Sequence, residues 1–228
     1  MTIVNSGQTL TITSGTIDNG DTILNGGLEI VLAGGATNGA VVSSGGQLVL
    51  SSGGTASGSK LLLSGTEIVS SGGTTSAALV SSGGQLVLSS GGTDSNSTLR
   101  TSGWEILYAG GTAIGATLSN GGRQYVSGGT VSASTILPGG EVVAYAGGIV
   151  SSAVILNIGQ LILSSGAVAT SAVVSSGGAL VVSSGGTSSA STVSSDGKLN
   201  ISAGGMASAA VIGNGGDYHH GRNIKQFV

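Results

Sequence analysis

Asp217, His219 and His220 lie close together near the C-terminus and have side chains that can do acid–base chemistry. In a chain rich in serine they allow a Ser–His–Asp arrangement, in which a histidine takes the proton of a serine hydroxyl. Such a site requires the side chains to converge within hydrogen-bond distance, and closeness in a serine-rich sequence says almost nothing about that. We therefore predict that the protein is not an enzyme and has no catalytic residue, cofactor or metal ligand.

The many glycine pairs do not match a known ligand-binding loop. A phosphate-binding loop requires the pattern GxxxxGK[ST] followed by a helix, and neither accompanies these glycines. Calcium-binding nonapeptides require the Asp of GGxGxDxUx, which the repeats lack. Asn96-Ser97-Thr98 and Asn200-Ile201-Ser202 fit the N-glycosylation pattern, and we interpret both as chance matches.

Three glutamates, Glu29, Glu67 and Glu105, recur every 38 residues, with Leu48 and Leu86 at the equivalent positions halfway between them. Stacked strands would place the glutamates about 9–10 Å apart, so their repulsion is largely screened by salt. We interpret them as solvated charges that limit association of faces and edges. The alternative is a row of cation-binding carboxylates.

The chain has few aromatic residues, and four of them fall in neighbouring repeats: Trp104, Tyr108, Tyr125 and Tyr145. They form either an exposed aromatic patch that binds a partner or ordinary filling of gaps on the outer face.

Composition excludes several classes of protein. Of 228 residues 45 are Gly, only 7% are charged and the net charge is −3, so the chain has no basic stripe for nucleic acid. The absence of cysteine rules out disulfides and thiol chemistry. The sequence shows neither a secretory signal peptide nor an apolar run long enough for a membrane helix. We therefore expect no membrane insertion, and expect any export signal to lie outside this chain.

An internal repeat dominates the sequence. The stretch SSGGQLVLSSGGT occurs at residues 43–55 and again, unchanged, at residues 81–93. Anchor glycines follow one another at a period of 19, with one insertion in the first unit and one deletion: Gly7, Gly27, Gly46, Gly65, Gly84, Gly103, Gly122, Gly140, Gly159, Gly178, Gly197 and Gly216. A second glycine step follows most anchors by eight residues. Each unit is therefore two short segments divided by glycine corners.

Three columns of the repeat have the composition of a narrow core. The column four residues after the anchor is apolar throughout: Val31, Leu50, Val69, Leu88, Leu107, Val126, Ala144, Leu163, Val182 and Ile201. So is a column near the end of each unit: Val42, Leu61, Val80, Leu99, Leu118, Ile136, Ile155, Val174, Val193 and Ile212. Two residues before that second column, on the same face of a strand, only Ala and Ser occur: Ala40, Ser59, Ala78, Ser97, Ala116, Ser134, Ala153, Ala172, Ser191 and Ala210.

These patterns predict an all-β fold, a single-stranded right-handed β-solenoid of about 11 coils of 19 residues. Paired glycines would cost a helix about 1 kcal/mol each, and the units are too short for propeller blades. We assign residues 1–216 to the solenoid, with 1–26 as an atypical N-terminal coil in which Asp18 and Asp21 serve as a partial cap. Residues 217–228 are a non-repeat tail that acts as a C-terminal cap or a connector.

The segment SGGTTSAALVSSGGQLVLSSGGT, residues 71–93, resembles the 19-residue passenger repeats of the AIDA-I, TibA and antigen 43 group of self-associating autotransporters. The resemblance covers residues 6 to about 216. It implies a β-helix on the cell surface that mediates adhesion and auto-aggregation and accepts O-linked heptose on serine. We therefore predict a secreted or bacterial cell-surface adhesin stalk, whose partners are copies of itself and a protein O-glycosyltransferase. The alternative is a structural subunit that stacks head to tail into a fibre.

Overall fold

The computed structural model describes residues 2–221, and all the regular structure in this range is β-strand. Each repeat contributes one strand to each of three parallel sheets before the chain continues into the next coil. The strands of two sheets number 12 and those of the third 11 within this range. The predicted β-solenoid of about 11 coils is therefore confirmed.

The strands are two to four residues long, and each strand inside a sheet pairs with its equivalents one repeat earlier and one repeat later. Sheet 1 consists of Ile3–Val4, Thr22–Leu24, Val41–Ser43, Lys60–Leu61, Leu79–Val80, Thr98–Leu99, Thr117–Leu118, Thr135–Ile136, Val154–Ile155, Val173–Val174, Thr192–Val193 and Val211–Ile212. Sheet 2 consists of Thr9–Ile12, Leu28–Val31, Gln47–Leu50, Thr66–Val69, Gln85–Leu88, Trp104–Leu107, Arg123–Val126, Glu141–Ala144, Gln160–Leu163, Ala179–Val182, Lys198–Ile201 and Asp217–His220. Sheet 3 consists of Ile17–Asn19, Ala36–Asn38, Thr55–Ser57, Thr74–Ser76, Thr93–Ser95, Thr112–Ile114, Thr130–Ser132, Ile149–Ser151, Val168–Thr170, Thr187–Ser189 and Met206–Ser208.

The pairing register shows where the repeat departs from its period. Arg123 pairs with Glu141, 18 residues later, which confirms the predicted deletion. The predicted insertion in the first unit is wrong, because Thr9 pairs with Leu28 at the ordinary spacing of 19. Gly7 is therefore the equivalent of Gly26, the glycine just before the anchor, and both have positive φ.

Where a corner has two glycines, they are needed for different physical reasons. In the turn from Ser51 to Gly54, the Gly54 N–H donates to the Ser51 carbonyl oxygen at 2.9 Å. Ser52 and Gly53 both have positive φ, 52° and 84°, as a type I′ turn requires. Gly54 is needed because a Cβ there would lie 2.2 Å from the Val31 carbonyl oxygen of the previous coil. Close approach between coils, and not φ alone, therefore explains the second glycine.

The two apolar columns predicted from the sequence line the core. Every member of the first is buried, and so is the second up to Val193, whereas Ile212 in the last coil is 38% exposed. The Ala and Ser column is buried up to Ser191, where sheets 1 and 3 meet. The assignment of inward faces from these three columns is therefore confirmed.

At the N-terminal end the first coil is held by a carboxylate. Asp21 is buried, and its Oδ1 accepts a hydrogen bond from the backbone N–H of Thr2 at 2.5 Å. Asp18 Oδ1 accepts from the N–H of Asn19 at 2.6 Å. Both acids thus bind backbone donors in the part of the chain we predicted to act as a cap.

At the C-terminal end the solenoid continues beyond Gly216, where we expected the repeat to stop. Asp217–His220 forms the twelfth strand of sheet 2 and pairs in register with Lys198–Ile201. This pairing satisfies backbone donors and acceptors of Lys198–Ile201 that would otherwise be left at the end of the sheet. Backbone pairing of this kind does not require the sequence of the repeat. Residues 222–228 of the predicted tail lie outside the described residues. Between residues 2 and 221 no helix is long and apolar enough to cross a membrane.

Candidate functional site

The predicted acid–base residues form a surface contact. His219 Nε2 lies 2.9 Å from Asp217 Oδ2, because residues two apart in a strand share a face. Both side chains are exposed, by 67% and 48%. His220 points the other way and its ring lies 6.1 Å from that of Tyr218. Within residues 2–221 no three His, Cys, Asp or Glu side chains are grouped to hold a metal ion.

Three of the four predicted aromatic residues contact one another on the outer side of sheet 2. The Trp104 ring meets the Tyr125 ring edge-on, and Tyr125 stacks on Tyr145, each pair with centroids 6.4 Å apart. Tyr108 is 50% exposed and follows the strand that begins at Trp104. Trp104, Tyr125 and Tyr145 thus form a partly exposed aromatic patch, in which Trp104 and Tyr145 are 36% and 43% exposed.

A charged pair borders the aromatic patch. Arg123 Nε lies 3.1 Å from Glu141 Oε2 in the next coil, and Arg123 Nη1 donates to the Tyr125 hydroxyl at 3.4 Å. Arg123 and Glu141 are paired strand neighbours, so the ion pair follows directly from the register. It places one positive and one negative group beside otherwise neutral surface.

Sequence reasoning missed a row of aliphatic side chains that we call the aliphatic stripe. The third residue of each sheet 2 strand lies between two inward-pointing residues and must point outward. In nine successive strands this residue is apolar or aromatic and half-buried: Ile30, Val49, Ile68, Val87, Ile106, Tyr125, Val143, Ile162 and Val181. The signal was present in the column three residues after each anchor. This column lies between the inward columns two and four residues after the anchor.

The corners that follow sheet 2 expose rows of hydroxyl groups. Ser52, Ser71 and Ser90 are exposed and lie at equivalent positions of successive coils with φ near 50°. Outer positions of sheet 3 add further hydroxyls, among them Thr74 and Thr112. Much of the remaining surface of the solenoid is therefore neutral and rich in hydroxyls.

The prediction that Glu29, Glu67 and Glu105 are solvated charges is wrong. All three are fully buried and point into the core beside the apolar column. Glu29 lies two residues before Val31 in the same strand, so the alternation that buries Val31 also buries Glu29. The glutamates share this inner column with Leu48, Leu86 and the other second residues of sheet 2 strands.

Burial changes the protonation of these acids. Removal from water raises the pKa of Glu29 and of Glu67 to about 7, from the ordinary 4.5. The nearby hydroxyls of Thr37 beside Glu29, and of Thr75 and Ser59 beside Glu67, act in the opposite direction. Burial therefore outweighs the polar surroundings at both glutamates.

Two further acids form a coupled pair. Burial raises the pKa of both Asp94 and Glu105, and the charge of Asp94 raises that of Glu105 further. The Gln124 amide donates to Glu105 Oε2 at 2.7 Å, and the Ser134 hydroxyl donates to Gln124 Oε1 at 3.3 Å. The pair thus ends a chain of buried polar groups, and burial favours the protonated form of both acids.

These features define the class of protein: a three-sheet parallel β-solenoid with an aliphatic stripe, hydroxyl-rich corners and buried acids. No protein-family model matches the chain, and no curated protein matches its sequence. Among solved structures, the chain is similar to a hyper-glycosylated TibA fragment whose glycosylation was catalysed by TibC. The two share 24% sequence identity with a TM-score of 0.66, over 100% of this chain and 99% of that one. The predicted resemblance to TibA-type repeats is confirmed at the level of fold.

Proposed function

We propose that this chain is a non-enzymatic extracellular stalk of the adhesin type, secreted or displayed on a bacterial surface, which associates side by side with copies of itself. The observation that carries the proposal is the aliphatic stripe. Contiguous apolar surface on a folded protein marks an interaction site more often than scattered apolar residues do. The resemblance to self-associating passenger repeats supports the same function.

The dimensions of sheet 2 suit a second copy of the chain. Nine stripe residues at the strand spacing extend about 38 Å along the solenoid. The whole outer face, about 13 Å by 53 Å, covers about 700 Å², close to the roughly 800 Å² that each partner contributes to a stable interface. A second copy presents the same stripe at the same spacing, so side chains of one copy fit between those of the other. Arg123 and Glu141 would fix the register of this contact.

A pair of matched variants tests this proposal. Ile68→Lys/Ile106→Lys places two charges in the stripe, whereas Thr74→Lys/Thr112→Lys places two charges in the same coils on sheet 3. We expect sedimentation velocity to show concentration-dependent association of the wild type and of the sheet 3 variant, and a monomer for the stripe variant. Equal association of all three proteins would refute the stripe as the interface.

We further propose that exposed corner serines such as Ser52, Ser71 and Ser90 accept sugars from a protein O-glycosyltransferase. Their hydroxyls are accessible and repeat once per coil. The structurally similar TibA fragment was hyper-glycosylated by TibC, which supports this proposal. Intact mass of the protein from its native source tests it: hexose- or heptose-sized increments are expected, and an unmodified mass would refute it.

End-to-end stacking into a fibre is a second candidate, supported by apolar side chains at both ends. Ile3 and Ile17 in the first coil are 55% and 63% exposed, and Met206 and Val211 near the last coil are 61% and 60% exposed. In this alternative the segment 217–228 acts as a connector. Its deletion would then shorten the particles seen by light scattering, whereas deletion of a cap would produce larger aggregates. Unchanged particle size would reject both roles.

A further inference from the structure

The core of the solenoid is divided into a polar part and an apolar part. We call the polar part the polar seam; it comprises the buried side chains of Glu29, Thr37, Ser59, Glu67, Thr75, Asp94, Ser97, Glu105, Gln124 and Ser134. The inward positions of the next two coils, from Val142 to Val174, are all Val, Leu, Ile or Ala. Beyond them, Ser188 and Ser191 satisfy each other through a hydroxyl–hydroxyl hydrogen bond of 2.5 Å. Buried carboxyl groups are therefore confined to the N-terminal part of the solenoid.

The polar seam contains no basic group that could neutralise its acids. No Lys, Arg or His is among the buried residues in the range 2–221. Both carboxyl oxygens of Glu29, of Glu67 and of Asp94 lack a hydrogen-bond partner, as does Oε1 of Glu105. The hydroxyl oxygens of their neighbours also lack one: Thr37, Ser59, Thr75 and Ser97. A carboxylate left ionised in such a place is costly, so the acids require either a proton or a cation.

We propose that the polar seam is a proton-binding site: its carboxyl groups take up protons when the chain folds, and their release above neutral pH loosens the surrounding coils while the apolar C-terminal coils stay closed. This inference concerns the interior and is independent of the proposed self-association. A protonated carboxyl has an O–H group that can donate a hydrogen bond to a neighbouring Ser or Thr oxygen. The proton thus gives each acid a donor of its own, in addition to the hydroxyl donors around it.

The negative charges near each acid favour its protonated state, whereas the neighbouring hydroxyls act in the opposite direction. Glu29 faces the hydroxyl of Thr37 and the charges of Asp18 and Asp21. Glu67 faces Ser59 and Thr75, with Asp94 and Glu29 as its charged neighbours.

The coupled pair has similar surroundings. Asp94 faces Ser97 and Glu105, and Glu105 faces Asp94 and Gln124. Every charged neighbour of the seam acids is itself an acid, so each ionisation opposes the next.

The sign of the pH effect follows from the raised pKa values. With a pKa of about 7 when folded against 4.5 when exposed, Glu67 is protonated in the folded state over a range in which the unfolded chain has lost the proton. The contribution of this protonation to the free energy of unfolding is therefore fully present at low pH and is lost as the pH rises through 4.5 to 7. Between pH 5.5 and 8.0 this linkage raises the local opening constant about 25-fold for each such glutamate.

Hydrogen exchange measured by mass spectrometry at pH 5.5 and 8.0, corrected for intrinsic exchange rates, tests the proposal. We expect amides of the coils between residues 28 and 136 to exchange at least about 25-fold faster at pH 8.0, and amides between residues 141 and 201 to keep their protection. Glu67→Leu uses the residue that Leu48 and Leu86 provide in adjacent coils, and should reduce the pH effect around it. Glu67→Gln, which cannot ionise, should do the same, whereas Asp196→Asn at an exposed corner should not.

Two results would overturn the proposal. One is a pH effect that is absent, or that is equal in both parts of the solenoid. The other is full protection at pH 8.0 in 150 mM NaCl, KCl or CaCl₂ that is lost in choline chloride of equal ionic strength, which would show that a cation occupies the seam.

Discussion

Replacement of Glu67 by leucine should stabilise the protein, and much more at alkaline than at acid pH. Glu67 is fully buried, and its pKa is raised to about 7 from 4.5. Above pH 7 Glu67 is ionised in the folded core. The rise of its pKa from 4.5 to about 7 then lowers the free energy of unfolding by about 3 kcal/mol, since a tenfold change in equilibrium constant corresponds to about 1.4 kcal/mol. At pH 4 the carboxyl is protonated in both states, and that cost is almost absent.

Urea unfolding followed by circular dichroism at pH 4 and pH 8 measures this difference. We expect the stabilisation by Glu67→Leu to be about 3 kcal/mol larger at pH 8, with an unchanged dependence on urea concentration. Glu141→Leu is the matched control, because Glu141 is an outer-face residue paired with Arg123 and should gain nothing from the change. Equal stabilisation by Glu67→Leu at both pH values, or a wild type that is more stable at pH 8, would show that Glu67 is not held protonated in the core.

Two further pairs of substitutions test the register and the corners. Leu88 is fully buried, so Leu88→Asp should abolish cooperative thermal unfolding, whereas Ser89→Asp, on the other face, should change stability by about 0.5 kcal/mol or less; equal losses would refute the register. Gly54→Ala places a Cβ 2.2 Å from the Val31 carbonyl oxygen and should be strongly destabilising in urea unfolding. Gly53→Ala has open space and should cost only about 1 kcal/mol for its positive φ; the reverse order would contradict the close approach of coils at Gly54.

Repetition made most of the fold predictable. A side chain that recurs at the same position of every coil, as in the column of Leu50 and Leu88, reveals its environment even in a single sequence. The deletion near Gly128 was equally visible as a change of spacing. The spacing failed at Gly7, because a lone glycine does not show whether it serves positive φ or close approach, and only strand pairing distinguishes the two.

The buried acids were not predicted because charge was given more weight than position. Alternation along the strand places Glu67 on the inner face with Val69. The apolar residue Leu48 at the equivalent position of the previous coil also indicated an inward position. A carboxyl can occupy this column because protonation removes its charge, a property that residue type alone does not show. The aliphatic stripe was missed for a related reason: columns were searched for core positions, and Ile106 and Val87 are as apolar as the core although they point outward.

Electron microscopy of the purified chain tests the central claim, lateral association through sheet 2, most directly. Eleven coils at the strand spacing predict rods about 50–55 Å long. We expect these rods to lie side by side in the wild type and in Thr74→Lys/Thr112→Lys, and to be single in Ile68→Lys/Ile106→Lys. Filaments many times longer than one rod, or single rods of the wild type at every concentration, would contradict the claim.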